Sequence, residues 1–275
     1  KAGRGAESAA DIARHEALSE TLPQVRNTNY SLTAARAFLE GRWADGEKIT
    51  ELALAGEHMP PSARIAMIDA LHYMDYAQRG RLGEAVEILE LEASVARSWN
   101  TWPAWEVGLA FGYLQAGDEE KAIRQVESID FEKVSKITRT QLIKPVFCAA
   151  AAMLAVAMND AKRARIISDL MADDDDPWTI FGPGAPSFGP LSLLRGELFL
   201  VQDRDREAAT ALENAVVACE AMNARPCLAR AELALAEALE RLGNPDGAER
   251  TAQLREHGLD TARDLEMKPL LSRYE

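Results

Sequence analysis

A short turn motif recurs six times along the chain and constrains the fold more than any other sequence feature. In each copy a helical stretch ends at a Gly or polar residue, and Ala or Gly follows five positions later. The copies begin at Gly41, Gly80, Gly117, Asn159, Asp203 and Gly243. Their spacings are 39, 37, 42, 44 and 40 residues. Glycine permits the left-handed backbone that ends a helix, and a small residue lets the next helix pack closely. The period predicts stacked helical hairpins.

Between the turns, apolar residues recur at spacings of three, four and seven. The segment 104–117 places Ala104, Val107, Phe111 and Leu114 on one face, and 228–243 repeats the pattern. Such spacing indicates amphipathic helices. No segment shows convincing period-two alternation, so no strand is expected. The sequence therefore predicts an all-α fold, a single superhelical domain over 1–275 built as an α-solenoid of about six helix-turn-helix units.

The turns resemble the tetratricopeptide repeat. The best match is GYLQAGDEEKA, which supplies Tyr113, Gly117, Asp118 and Ala122 at the consensus spacing. The copies that begin at 159 and 203 lack the glycine. All copies are longer than the usual repeat of about 34 residues. The resemblance implies a divergent, tetratricopeptide-like solenoid.

Three longer stretches point to a narrower family. They are 102–122, 181–248 and the ending ARDLEMKPLLSRYE. Together they resemble the C-terminal helical repeat region of large bacterial signalling proteins. Those proteins carry an upstream switch ATPase and either a class III adenylate cyclase domain or a LuxR-type DNA-binding domain. Asn223 stands where that pattern usually has glycine. The resemblance implies a regulatory domain, and we expect the chain to be a fragment of a larger protein, since it begins at Lys1 rather than Met.

A Pro-, Gly- and aromatic-rich stretch interrupts the helical pattern. It reads PWTIFGPGAPSFGP over 177–190 and follows four consecutive aspartates. We expect a joint at 173–190 that folds back over the helices, with Trp178 and Phe181 packed against them. The alternative is that these two aromatic residues contact a ligand or partner directly.

Charge and apolar content exclude two classes of partner. The chain has 31 basic and 44 acidic residues, a net charge of −13, with no basic stripe. Such a field repels phosphate backbones, so we expect no nucleic-acid binding by this segment. No apolar run approaches the roughly 20 residues of a membrane span.

The three cysteines lie in apolar helical contexts, which favours a reducing, cytoplasmic location.

The sequence offers no catalytic constellation. GRWADGEK begins like a phosphate-binding loop, but Glu47 stands where that loop requires lysine. The four histidines are scattered, and none has metal-ligand spacing. We therefore expect no catalytic residues, no metal and no cofactor.

The repeat register places a set of side chains on the inner face of the solenoid. These candidates for ligand or partner binding are Phe38, Met74, Gln78, Phe111, Gln115, Glu197 and Arg230, with Trp178 and Phe181 from the loop. Phe and Met also suit a core, so burial is the alternative for each. The partner would be a protein, a neighbouring domain or a small-molecule effector.

Together these features predict a non-enzymatic interaction or ligand-sensing domain. Two alternatives remain at this point. One is a free-standing scaffold or self-assembling repeat protein. The other is an α/α enzyme with its active site in the groove, which the absence of a catalytic constellation disfavours.

Overall fold

The structure, a computed structural model, is mostly helical. It describes residues 5–22, 26–54, 71–98, 103–131, 144–172, 178–180, 187–243 and 247–275. Phe181 and most of the expected joint, 173–177 and 181–186, lie outside the described residues.

Helices follow one another along the chain. The first five are α1 (Gly5–Thr21), α2 (Arg26–Leu39), α3 (Trp43–Leu54), α4 (helical over 71–79) and α5 (Val86–Ser98), with a 3₁₀ turn at Leu82–Ala85 before α5. The next four are α6 (Pro103–Gln115), α7 (Glu119–Glu127), α8 (Lys144–Ala157) and α9 (Ala161–Leu170). The last five are α10 (Leu191–Val201), α11 (Asp205–Met222), α12 (Arg225–Leu242), α13 (Ala248–Asp264) and α14 (Lys268–Tyr274). From α9 to α14, each helix packs against the next one in sequence.

The predicted turns adopt the expected backbone. Gly41, Gly80, Gly117 and Gly243 have φ between 65° and 80°. Asn159 and Asp203, which replace glycine in the other two copies, have φ of 50° and 56°. Asn tolerates this left-handed region better than most residues, and Asp shares the short polar side chain that helps. The turn motif is therefore confirmed as a helix-ending device at all six positions.

The small residue five positions after each turn packs as expected in most copies. Ala122, Ala164 and Ala208 are fully buried. A Cβ on Gly46 would lie 2.6 Å from the Phe38 ring, so only glycine fits there. Ala248 is exposed, and the expectation of close packing is wrong at this last copy.

The expectation of no strand is also wrong. Trp178–Ile180 (β1) pairs antiparallel with Ser187–Pro190 (β2), and the register shifts between Thr179 and Ile180. The Thr179 hydroxyl donates to the Gly189 carbonyl oxygen at 2.8 Å. Strands of three and four residues with a bulge are too short to show alternation in the sequence.

This ribbon is anchored in the core. Trp178 is buried beside Leu193 and Leu200, and Phe188 is buried and lies 6.5 Å from Tyr73 between ring centroids. Helix α10, which follows the ribbon, places Leu194 and Leu198 in one hydrophobic cluster and Leu193 and Leu200 in the next. The apolar core therefore continues across the expected joint, which favours a structural role for the ribbon.

Replacing Trp178 with Ala should destabilise the protein by about 3 kcal/mol, because a large buried side chain leaves a cavity. Urea unfolding followed by circular dichroism measures this loss. Unchanged stability together with loss of partner binding would contradict the structural interpretation and support direct contact with a partner.

Candidate ligand-binding site

The end of the chain returns to the first hairpins. We call residues 265–275 the C-terminal segment. The Trp43 indole Nε1 donates to the Leu265 carbonyl oxygen at 3.0 Å, a bond between residues 222 positions apart. Arg79 Nη2 donates to Glu266 Oε2 at 3.0 Å. The segment is thus fixed against residues from the first two turns of the chain.

Two turn glycines make room for this contact. A Cβ on Gly41 would lie 2.8 Å from Leu265 Cδ2, and one on Gly80 would lie 3.0 Å from Pro269. At Gly117 and Gly243 the same Cβ would meet none of the described residues within 4 Å. The first two turns therefore need glycine for close approach as well as for backbone conformation.

Two adjoining cavities lie between the C-terminal segment and the middle helices. The larger has a volume of about 720 Å³, and the smaller about 120 Å³. Both are bordered by Phe111, Val156, Ala157, Pro269 and Arg273. The larger is within the size range of small-molecule sites in proteins.

The walls of the larger cavity differ in character. Its apolar lining residues are Phe111, Leu114, Val156, Ala157 and Pro269. Its polar lining residues include Gln115, Glu237, Arg241, Arg255, Arg273 and Tyr274. A ligand with one apolar and one polar part would match this lining.

Glu237 is the centre of a charge network in this wall. Its Oε1 accepts from Arg241 Nη2, and its Oε2 accepts from Arg273 Nη2 at 3.0 Å and from the Tyr274 hydroxyl at 2.9 Å. Burial alone would raise the pKa of Glu237, but Arg273, the Tyr274 hydroxyl and Arg241 together hold that pKa below its ordinary value. Glu237 is therefore ionised at neutral pH. Its carboxylate accepts hydrogen bonds from two guanidinium groups, those of Arg241 and Arg273.

The smaller cavity is bordered by a buried ion pair. Arg230 donates from Nε to Glu197 Oε1 at 3.1 Å and from Nη2 to Oε2 at 2.6 Å. Burial opposes the charge on Arg230, but Glu197 outweighs it, and the pKa of Arg230 is raised. This two-point contact joins α10 to α12. Arg230 Nη1 and Gln78 Oε1, from two residues that line the same cavity, are buried with no hydrogen-bond partner among the described residues.

Four of the residues predicted for the inner face meet at the smaller cavity. They are Gln78, Phe111, Glu197 and Arg230. Gln115 lines the larger cavity, and it also has a structural role. Its Nε2 donates to the Ala77 carbonyl oxygen at 2.8 Å and its Oε1 accepts from the Leu82 backbone N–H at 3.0 Å. This amide ties α6 to the preceding turn.

The other predicted residues are part of the core. Phe38 and Met74 are almost fully buried, and Phe38 lies 6.4 Å from Trp43 between ring centroids. Trp178 is buried in the hydrophobic cluster that contains Leu193 and Leu200. For these three residues the structure favours burial over ligand contact. Phe181 lies outside the described residues.

Sequence reasoning missed the charged half of the larger cavity. Glu237, Arg241, Arg255, Arg273 and Tyr274 line it, and the sequence drew attention to none of them as site residues. Arg273 and Tyr274 belong to the ending ARDLEMKPLLSRYE, which in the sequence carries only the family resemblance. The sequence signal for a site there is an adjacent basic and aromatic residue at the end of an acidic chain.

Asp75 is a buried carboxylate next to the closing contact. It is fully buried, and its nearest cation is Arg79, whose Nη1 lies 3.5 Å from Asp75 Oδ1. Burial is the main cause that raises the pKa of Asp75 to about 6, and nearby Glu47 adds to it, while Arg79 and Arg81 oppose it. Arg79 is the same residue that binds Glu266, so the charge state of Asp75 acts on a residue that holds the C-terminal segment.

Within the described ranges, no group of three or more His, Cys, Asp or Glu side chains could hold a metal ion. In the same part of the chain, no helix combines the length and apolar character that crossing a bilayer requires. The larger cavity combines apolar lining residues with guanidinium donors, and this combination is suited to binding.

Gly41→Ala should destabilise the protein more than Gly117→Ala. Both substitutions place alanine in left-handed backbone, which costs roughly 1–2 kcal/mol, but only the Cβ at position 41 meets the C-terminal segment. We expect an additional loss of about 1 kcal/mol in the free energy of unfolding for Gly41→Ala, since the added methyl overpacks a buried contact. Equal losses in urea unfolding would show that the segment does not pack against this turn.

Asp75→Asn should change the pH dependence of stability. The folded-state pKa of Asp75 lies above the ordinary value, so its contribution is present at pH 4 and is lost as the pH rises through about 6. Asparagine resembles the protonated form. We therefore expect the variant to gain roughly 1–3 kcal/mol relative to the wild type between pH 4 and pH 8. Asp260→Asn, at an exposed carboxylate, is the control, and a constant difference between Asp75→Asn and wild type would contradict the prediction.

Comparisons with known proteins identify no relative of this chain. No family model, no curated protein and no solved structure matches the chain.

Proposed function

We propose that the chain is a divergent, tetratricopeptide-like α-solenoid that senses a ligand or partner without catalysing a reaction. Two features support the solenoid. Left-handed residues stand at all six turn positions, 37 to 44 residues apart. Successive helices from α9 onward pack in chain order, as expected when each repeat contacts mainly its neighbours.

The observation that carries the proposed function is the larger cavity. It is bordered by α6, α8, α12 and the C-terminal segment, so its walls come from distant parts of the chain. A ligand bound there would contact several hairpins and the segment that joins the two ends. The ligand would stabilise the arrangement of these elements that binds it most tightly. Binding would therefore shift the conformational equilibrium toward that arrangement.

The resemblance of 102–122, 181–248 and 262–275 to bacterial signalling proteins supports a regulatory setting. In this proposal the solenoid belongs to a larger cytoplasmic protein, and binding of a small molecule, a protein or a neighbouring domain controls an upstream switch. The net charge of −13 argues that any nucleic-acid contact is made elsewhere in that protein.

The first test is the mass of the intact gene product in source-cell lysate, measured by blotting with an antibody against this chain. A band far above 30.1 kDa is expected. A band at that mass would remove the regulatory-domain proposal and leave the free-standing scaffold, which light scattering would then test through self-assembly.

The second test fills the cavity in the full-length protein. Val156 is half-buried and lines both cavities, so Val156→Trp would occupy their shared space. We expect nucleotide hydrolysis by the full-length protein to stop responding to conditions that change it in the wild type. Val217→Trp on α11, at an exposed residue outside the cavities, should respond as the wild type does. A normal response in Val156→Trp, with thermal stability retained, would contradict a role for the cavity.

A further inference from the structure

The two cavities concentrate positive charge inside an acidic chain. Six charged residues line them. Four are arginines, Arg230, Arg241, Arg255 and Arg273, and two are glutamates, Glu197 and Glu237. With four arginines and two glutamates, the lining carries a formal charge of +2. The whole chain carries −13. A cavity lined mainly by one sign of charge, with apolar walls, attracts ligands of the opposite sign.

Two of these arginines are largely satisfied by acidic residues behind the lining. Arg255 donates from Nε and Nη2 to Glu240 at 3.1 Å and 2.7 Å. Arg241 lies 3.4 Å from Asp203 and 3.5 Å from Asp205, and it also donates to Glu237. These pairs leave little donor capacity for a ligand.

Arg273 is different. It shares Glu237 with Arg241, and its Nη2 makes the 3.0 Å bond to that carboxylate. Its Nε and Nη1 have no hydrogen bond to the described residues. The side chain is one-third exposed and borders both cavities. A guanidinium with N–H donors left over on an open cavity is suited to a carboxylate or phosphate, because a hydrogen bond between charged groups is stronger than one between neutral groups.

The apolar half of the cavity defines the rest of the ligand. Phe111, Val156 and Pro269 are among the apolar residues that line this cavity. An inorganic anion would contact the guanidinium alone and leave this surface uncovered. An anion with an apolar or aromatic body would bury apolar area as well, and that burial adds to its affinity.

We infer that the larger cavity binds a small organic oxyanion, whose carboxylate or phosphate contacts Arg273 and whose apolar body lies against Phe111 and Val156. This inference rests on the proposed function and names the class of effector. It also gives the C-terminal segment a role, because Arg273 lies in that segment and the bound anion would hold it in place.

The test titrates the complete chain with four probes and follows chemical shifts by nuclear magnetic resonance. The probes are 2-naphthoate, 2-naphthyl phosphate, the neutral 2-naphthalenemethanol and inorganic phosphate. We expect one or both naphthyl anions to bind at least tenfold more tightly than the alcohol and than inorganic phosphate. The stronger of the two distinguishes a carboxylate effector from a phosphate effector. The affinity of the anions should fall as salt is raised, because the contact is ionic.

Variants assign the contact to Arg273. Arg273→Gln should weaken binding of the preferred anion about tenfold, in line with loss of a charge-assisted hydrogen bond. Arg273→Lys keeps the charge and should retain most of the affinity. The control is Arg250→Gln, because Arg250 also pairs with a single carboxylate, that of Glu213 at 2.5 Å, but does not line either cavity. Thermal unfolding of each variant confirms that it is folded at the titration temperature.

Three results would overturn the inference. They are equal affinity for 2-naphthoate and 2-naphthalenemethanol, wild-type affinity in Arg273→Gln, and an equal loss in Arg250→Gln. If the neutral alcohol binds and Val156→Trp blocks it, the cavity is a ligand site and only the anion assignment fails. If no probe binds, the anion assignment also fails, while the mass of the gene product and the full-length response test the proposed function separately.

Discussion

The hydrogen bond from Trp43 to the Leu265 carbonyl oxygen is the contact on which the rest of the site depends. It joins residues 222 positions apart, and the Arg79–Glu266 pair lies beside it. Helical hairpins that contact only their neighbours have no intrinsic reason to bring the two ends of a chain together. This contact places the C-terminal segment against the middle helices, and both cavities have that segment as one wall.

The turn motif serves two different physical purposes. At Gly117 and Gly243 the left-handed backbone accounts for the glycine, since a Cβ there would meet none of the described residues within 4 Å. At Gly41 and Gly80 the absent Cβ also leaves room for Leu265 and Pro269. One local device that ends a helix therefore becomes, in the first two copies, part of a long-range contact. Nothing in the motif itself distinguishes the two cases.

A buried ion pair borders the smaller cavity. The Glu197–Arg230 pair is almost fully buried, and such pairs contribute little net stability because desolvation offsets their attraction. Their value lies in geometry, since a two-point contact fixes the position of α10 relative to α12. The same surface continues to Glu237 and Arg273, so the ionic contacts that position the helices also form the polar wall of the cavity.

Much of the local structure follows from the sequence alone. Glycine, asparagine and aspartate at a spacing of about 40 residues specify left-handed turns, because few other residues adopt that backbone, and apolar spacing specifies the helices between them. The sequence also predicted Gln78, Phe111, Glu197 and Arg230 for one binding face, and all four line the smaller cavity. The sequence did not predict the two short strands at 178–180 and 187–190, which are stabilised by burial of Trp178 and Phe188 rather than by any periodic pattern. The tertiary fold brings Arg273 and Tyr274 to Glu237 and buries Phe38 in the core. Those outcomes follow from packing between residues far apart in sequence, and local patterns carry no information about such distances.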